Sequence, residues 1–243
     1  MAEAFNALGH IAQRQGDYAA AKAFSGQALE LYRGLNDPRN TAGMSLNLGV
    51  MAFEQGDYET AYRLTEASLA VFRQLHDTYG ITTALLNLGN TLLETGNLKR
   101  ARGYFEEAIV FERSLGSGNV AIPLGGLGRA LRRLGDLTGA RACFAESLQL
   151  RLQTGDRRGV AVTLTNLAHV EHNDHRPDRA ARLLGAAEAI RQAIGAPIHP
   201  NRREEYEQLL AEVRAALGQA GFADAWAEGR TLTLEQAVAL ALE

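Results

Sequence analysis

The residues best equipped for chemistry in this 243-residue chain fall in two short stretches. In "HVEHNDH", residues 169–175, His169 and His172 lie one helical turn apart and His175 opens the next, while Glu171 or Asp174 could add oxygen to a transition-metal shell. Their spacing matches no established zinc signature, so polar surface lining is the better reading of the three histidines, and neither a metal nor another cofactor is expected. In "GRALRR", residues 128–133, Arg129, Arg132 and Arg133 bring three guanidinium groups to one side of a helix. Such a cluster can hold a carboxylate or a phosphate. The competing reading is that Arg132 and Arg133 only solvate a helix end and neutralise its terminal carbonyls.

Other reactive patterns are missing. No Gly-x-x-x-x-Gly-Lys-Ser/Thr, Gly-x-Ser-x-Gly or His-Glu-x-x-His occurs, and the glycines of "LGGLGRA", residues 124–130, suit helix packing rather than a phosphate loop. Cys143 shares an expected core column with Phe24, Leu64, Tyr104 and Leu183, which argues against a nucleophile. Glu106-Glu107 and Glu204-Glu205 read as solvated faces with no histidine beside them in sequence. No catalytic residue, and no enzyme, is expected.

Composition narrows the partners. Lys+Arg 25 against Asp+Glu 28 gives a formal charge of −3, leaving no basic excess for a phosphate backbone, so direct nucleic-acid binding is disfavoured. A single cysteine and no Asn-x-Ser/Thr sequon point to a reducing cytoplasm. No apolar run approaches the roughly 18 residues needed to cross a bilayer, so no membrane association is expected.

These residues are positioned by a repeat. Leu8, Leu48, Leu88, Leu127 and Leu167 recur at steps of 40, 40, 39 and 40. The same ruler aligns Gly9, Gly49, Gly89, Gly128 and Ala168; Gly16, Gly56, Gly96, Gly135 and His175; Ala21, Ala61, Ala101, Ala140 and Ala180; and Ala28, Ser68, Ala108, Ser147 and Ala187. Small residues at helical spacing let backbones approach, and the Gly16 column separates two helix-period stretches in each copy. Asp17, Asp57, Asn97 and Asp136 follow that turn as N-caps, and Asp37, Asp77, Ser117 and Asp156 mark the start of each next copy. In copy five, His175 and Arg176-Pro177 replace the glycine and its cap, and a distorted turn is expected there.

After Gly195 the period breaks. Tyr206, Leu209, Leu210, Val213 and Leu217 form one apolar stripe, Phe222 and Trp226 share a further face, and Thr233 with Gln236 fits a capping box, so the chain should close in three helices. A helix pair cannot bury its face alone, and stacking makes a solenoid. Residues 1–195 are thus expected to form the solenoid and 196–243 a helical cap. Met1 falls inside the first helix of copy one and "AVALALE" ends without a C-cap, which suggests a module of a longer chain, with self-association possible over the uncovered first copy.

The columns Leu-Gly, Gly-Asp and two spaced alanines resemble the tetratricopeptide repeat (TPR) over about 190 residues, with a period near 40 rather than the usual ~34. The resemblance implies an all-α, right-handed αα-solenoid of about five TPR-like helix pairs with a C-terminal helical cap. The tail beginning "RAARLLGAAEAIRQAIGAPIHPNRREEYEQLLAEVRAALG", from residue 179, resembles the C-terminal sensor region of bacterial STAND-class signalling ATPases and LuxR-type regulators. That likeness implies a sensor whose inducer binding is passed to attached ATPase or effector domains.

In the TPR family the binding surface comes mostly from the first helix of each pair. The corresponding positions here are Asn6, His10, Gln13 and Arg14; Leu46, Val50, Phe53 and Glu54; Leu86, Asn90, Leu93 and Glu94; Arg129, Arg132 and Arg133; and His169, His172 and Asn173. Phe53 and Leu93 are expected to add apolar surface to the arginine pocket, which suits a peptide, protein or small-molecule inducer with an anionic group and an apolar body. A constitutive protein–protein adaptor is the alternative.

Overall fold

The computed structural model describes residues 1–243 except Gly16, Ser117 and Gly118, and except the side chains of His10, Gln13, Arg14 and Tyr18. The expected Gly16 turn, the Ser117 helix start and the groove side chains of His10, Gln13 and Arg14 therefore lie outside the described residues. Among the described residues there are twelve α-helices and no strand. None of these helices is long and apolar enough to cross a membrane.

Two compact units, Met1–Phe111 and Glu112–Glu243, make up the chain. The first holds α1 (Ala2–Arg14), α2 (Tyr18–Gly34), α3 (Pro38–Glu54), α4 (Tyr58–Gln74), α5 (Thr78–Glu94) and most of α6 (Leu98–Ser114). The second holds the end of α6 and then α7 (Ala121–Arg133), α8 (Leu137–Gln153), α9 (Arg157–Asn173), α10 (Pro177–Ile194), α11 (Pro200–Thr231) and α12 (Leu234–Leu242). In the first unit α1 packs on α2 and α3 on α4, and in the second α7 packs on α8 and α9 on α10, the helix pairs of the all-α TPR-like arrangement that the repeat implies, while α12 lies against α8, α9 and α10.

Local chemistry sets the helix ends. The carboxylates of Asp37, Asp57, Asp77, Asp136 and Asp156 each accept from the backbone N–H three residues on, at 2.8–3.1 Å. The turn that follows the first helix of a pair needs a left-handed residue, and Gly56, Gly96 and Gly135 supply it at φ 80, 75 and 87°. His175 takes φ 58° in the same column, so the fifth turn keeps this conformation instead of distorting; histidine is among the residues enriched there. Copy four begins late: α7 starts at Ala121, after Val120, which makes no side-chain cap bond, and Pro123 sits in the first turn, where its missing N–H costs nothing.

Small residues bring the hairpin helices together. Ala21, Ala61, Ala101, Ala140 and Ala180 are all fully buried. At Gly49, Gly89 and Gly128 the neighbour is always the residue sixteen positions later: Thr65, Phe105 and Phe144. The fully buried column is accordingly that of Phe105, Phe144 and Leu184, and Cys143, one residue earlier, is only half-buried. Ser68 and Ser147 donate to the carbonyls of Ala42 and Ala121 at 3.0 and 2.8 Å, tying each second helix to the start of its partner. Near the C-terminus, α11 breaks at Gly218 (φ 72°, ψ 167°), and the Thr233/Gln236 capping box opens α12, giving the three expected segments.

A Cβ at Gly89 would lie 2.7 Å from the buried ring of Phe105, whereas one at Gly43 meets nothing within 4 Å. Gly89→Ala is expected to destabilise the protein by about 1–3 kcal/mol through overpacking, and Gly43→Ala to stabilise it by up to ~1 kcal/mol through helix propensity, both read by urea unfolding.

Candidate functional site

Position 32 of copy one recurs as Tyr32, Phe72, Glu112, Arg151 and Arg191. Tyr32 and Phe72 are core residues of the first unit; in the second unit the same column delivers ionic side chains to the interior, with Arg191 only 7% exposed. A buried guanidinium requires partners. Arg151 donates to Asp156 at 2.6 Å and to Ser147 at 3.2 Å. Arg191 donates from Nη1 to Thr165 at 3.0 Å, from Nη2 to the Tyr206 hydroxyl at 3.1 Å and from Nε to Glu188 at 3.3 Å, with its guanidinium over the Tyr206 ring.

These two arginines border a cleft of about 280 Å³ between α7, α9, the end of α10, the segment 196–199 and the start of α11. That lies just below the roughly 300–1,000 Å³ common for small-molecule sites. Arg129, Arg158 and Arg202 bring further cations, Glu205 is the acidic lining residue, and Ile122, Val162 and Ile198 supply apolar wall. Ile122 and Val162 are half or more exposed at 56% and 50%, so the mouth offers apolar surface to an incoming group.

Several expected site residues meet here and others do not. Arg129 and His169 line the cleft. Arg132 lies beside it, bound to Glu205 at 2.6 Å. Burial pushes its guanidinium down and Glu205 holds it up, with the net shift downward. The positive pocket is therefore partly filled by the protein's own carboxylate, and Glu205 is not a solvated-face residue. His172 turns to Glu212 at 3.3 Å, and Arg133 and Asn173 are exposed outside the lining.

In the first unit Val50, Phe53 and Asn90 share a separate cleft of about 40 Å³, room for little more than a water. Asn6 is half-buried on α1. Leu93 is 1% exposed and belongs to the core rather than to an open groove. Among the described residues no group of three or more His, Cys, Asp or Glu is placed to hold a metal, so His169, His172 and His175 do not converge on one.

Burial and then the Arg132 charge push the His169 imidazole down to about 4 against the pull of Glu205 and Glu212. At neutral pH it is uncharged, and its 3.9 Å approach to Glu205 is a polar contact rather than an ion pair. Burial pushes the Glu205 carboxyl up, but His169, Arg202 and Arg132 outweigh it and hold it below its ordinary value. Arg151, Arg191, Arg202, Glu205 and Tyr206 line the cleft from outside the first helices, and Arg158, at the start of α9, lies outside the expected groove columns. One signal for two of them was present in the repeat: an aromatic core column that turns to arginine.

Because the folded chain resists protonating His169, stability is full above the unfolded pKa near 6.5 and is lost as pH falls toward about 4. The loss should be on the order of 3 kcal/mol from this group. His169→Gln is expected to remove that component from the difference between unfolding free energies measured at pH 7 and pH 4.5.

Comparison with known proteins follows the same lines. No protein of curated function matches the sequence. The structure of BtubC (BKLC) from P. vanneervenii is similar over 83% of both chains at 24% identity, with TM-score 0.68. The apo form of RapI matches over 97% of both chains at 12% identity, with TM-score 0.72. A Rap protein complexed with Competence and Sporulation Factor matches over 96% of this chain and 70% of its own at 14% identity, with TM-score 0.61. At these identities the likeness establishes the fold. Tetratricopeptide-repeat profiles match residues 2–34, 40–109 and 119–193, and with the hairpins, glycine turns and small-residue columns described above, the chain belongs to the tetratricopeptide-repeat family.

Proposed function

We propose that this chain is a non-enzymatic sensor module that binds an inducer with an anionic group and an apolar body in the cleft between α7 and α11, and passes that occupancy to attached ATPase or effector domains. The observation that carries the reading is the meeting of Arg151, Arg158, Arg191 and Arg202 with the exposed Ile122 and Val162 around one cavity. Cations beside apolar surface select an amphipathic anion: the charge orients it and the apolar contact adds affinity. The Rap neighbour whose structure holds Competence and Sporulation Factor supports ligand binding on this fold. The C-terminal helices serve as the cap, and α11 is the element that feels the ligand, since it contributes Arg202, Glu205 and Tyr206.

A constitutive protein-binding adaptor is the second reading, favoured by the exposed Leu35, Leu75 and Tyr79 of the first unit, at 70%, 42% and 80%. Exposed apolar surface of this kind marks a contact for another protein.

Thermal unfolding against nucleotides, sugars, phosphorylated metabolites and short peptides separates the two. A ligand at about 100 Kd should add roughly 2.7 kcal/mol of stability, and Ile122→Asp at the exposed mouth should abolish the shift without altering the apo transition. A panel that leaves the transition unmoved transfers the function to the adaptor reading.

A further inference from the structure

Resting on the sensor reading, we infer that the cleft between α7 and α11 takes a small phosphomonoester carrying an apolar substituent, with the phosphate seated by Arg158 and Arg191.

The charge balance is the first argument. Around the cleft Arg151 is paired with Asp156, Arg191 with Glu188, and Arg132 and Arg202 share the single carboxylate of Glu205. Arg158 makes no ion pair among the described residues. Arg158 thus stands in the cleft wall as a cation with no carboxylate beside it among the described residues, and His169 is neutral at pH 7. That cation beside the buried Arg191 suits a phosphomonoester, which carries about −1.5 to −2 at this pH and offers three oxygens to be shared between two guanidiniums.

Arg158 is also misplaced for stability. It stands in the first turn of α9, where the exposed backbone N–H groups already present positive charge, and a cation there is disfavoured. A bound dianion reverses the sign of that interaction.

Arg191 supplies the directional part. It is nine-tenths buried, fixed by Thr165, Tyr206 and Glu188, and lines the cleft. Those three bonds use three of the five N–H groups of a guanidinium, leaving one on each terminal nitrogen to donate to an anion. The volume of about 280 Å³ fits a small molecule, and Ile122 and Val162 at the mouth fit its apolar substituent.

Isothermal titration calorimetry at fixed ionic strength, with phenyl phosphate, benzoate and inorganic phosphate as probes, tests this. Phenyl phosphate should bind saturably and at least about tenfold tighter than either benzoate or inorganic phosphate. Arg158→Gln, an exposed change that leaves folding intact, should weaken phenyl phosphate about tenfold or more and leave benzoate less affected. Arg191→Lys should weaken phenyl phosphate as well, since an ammonium cannot reproduce the fork, and its unfolding transition reports independently whether it folds. Benzoate binding as tightly as phenyl phosphate, with loss in Ile122→Asp, would overturn the phosphate assignment while leaving the sensor reading standing. Phenyl phosphate binding that ignores Arg158→Gln would place the anion elsewhere and equally sink it. If no probe binds, the phosphate seat is overturned, and the sensor reading is then judged separately by the wider ligand panel.

Discussion

Everything in this protein depends on how closely the two helices of each hairpin approach. The buried alanines at 21, 61, 101, 140 and 180 and the glycines at 49, 89 and 128 remove side-chain bulk at the crossing, so the facing residue sixteen positions on is always the one that fills the gap. Such a contact tolerates little change, because the aromatic rings of Phe105 and Phe144 already occupy the space beside the glycines. The consequence is a constant frame: a given column of the repeat arrives at the same kind of place in each copy.

Against that constancy the cleft of the second unit stands out as an exception to the repeat. Where the first unit places Tyr32 and Phe72, the second places Glu112, Arg151 and Arg191. Apolar contact is replaced by charge, whose burial is tolerated only with bonded partners. Thr165, Glu188 and Tyr206 provide them for Arg191, and Asp156 for Arg151. A related network lies deeper in the second unit. Glu171, 1% exposed, is met by Arg141, Arg176 and Arg179, and Arg179 also donates to the Leu240 carbonyl at 2.5 Å and so holds α12. In the column of Tyr32 and Phe72, polar groups stand in the second unit where aromatic rings stand in the first, and Arg151 and Arg191 border the cleft.

The carboxylate of Glu205 shows how a site can be prepared by its own protein. It occupies Arg132 and Arg202 and lies near His169, which burial keeps neutral. The cluster at Arg129, Arg132 and Arg133 is consequently less positive than its spacing alone implies, and Arg151, Arg158 and Arg191 add cations to the lining from α8, α9 and α10.

Most of the fold was legible because it is local. An aspartate that caps a helix bonds three residues away, a left-handed turn needs its own residue type, and the forty-residue period repeats both, so the hairpins, the turns and the Thr233/Gln236 box follow from the sequence alone. Even the histidine at 175 obeys the column it occupies, because histidine is among the residues that take the left-handed conformation the turn needs. The depth of each side chain was less legible: Leu93 is buried, and the buried column passes through Phe144 rather than Cys143, because a shift of one residue rotates a helical side chain by about 100°. Only the tertiary structure decided the lining of the cleft. Arg202, Glu205 and Tyr206 reach it from α11, where the period has ended, and the Arg132–Glu205 pair joins residues 73 apart. No spacing rule covers such a pair, since it is set by the packing of α11 against α9 and α10 and by the need of buried guanidiniums for partners.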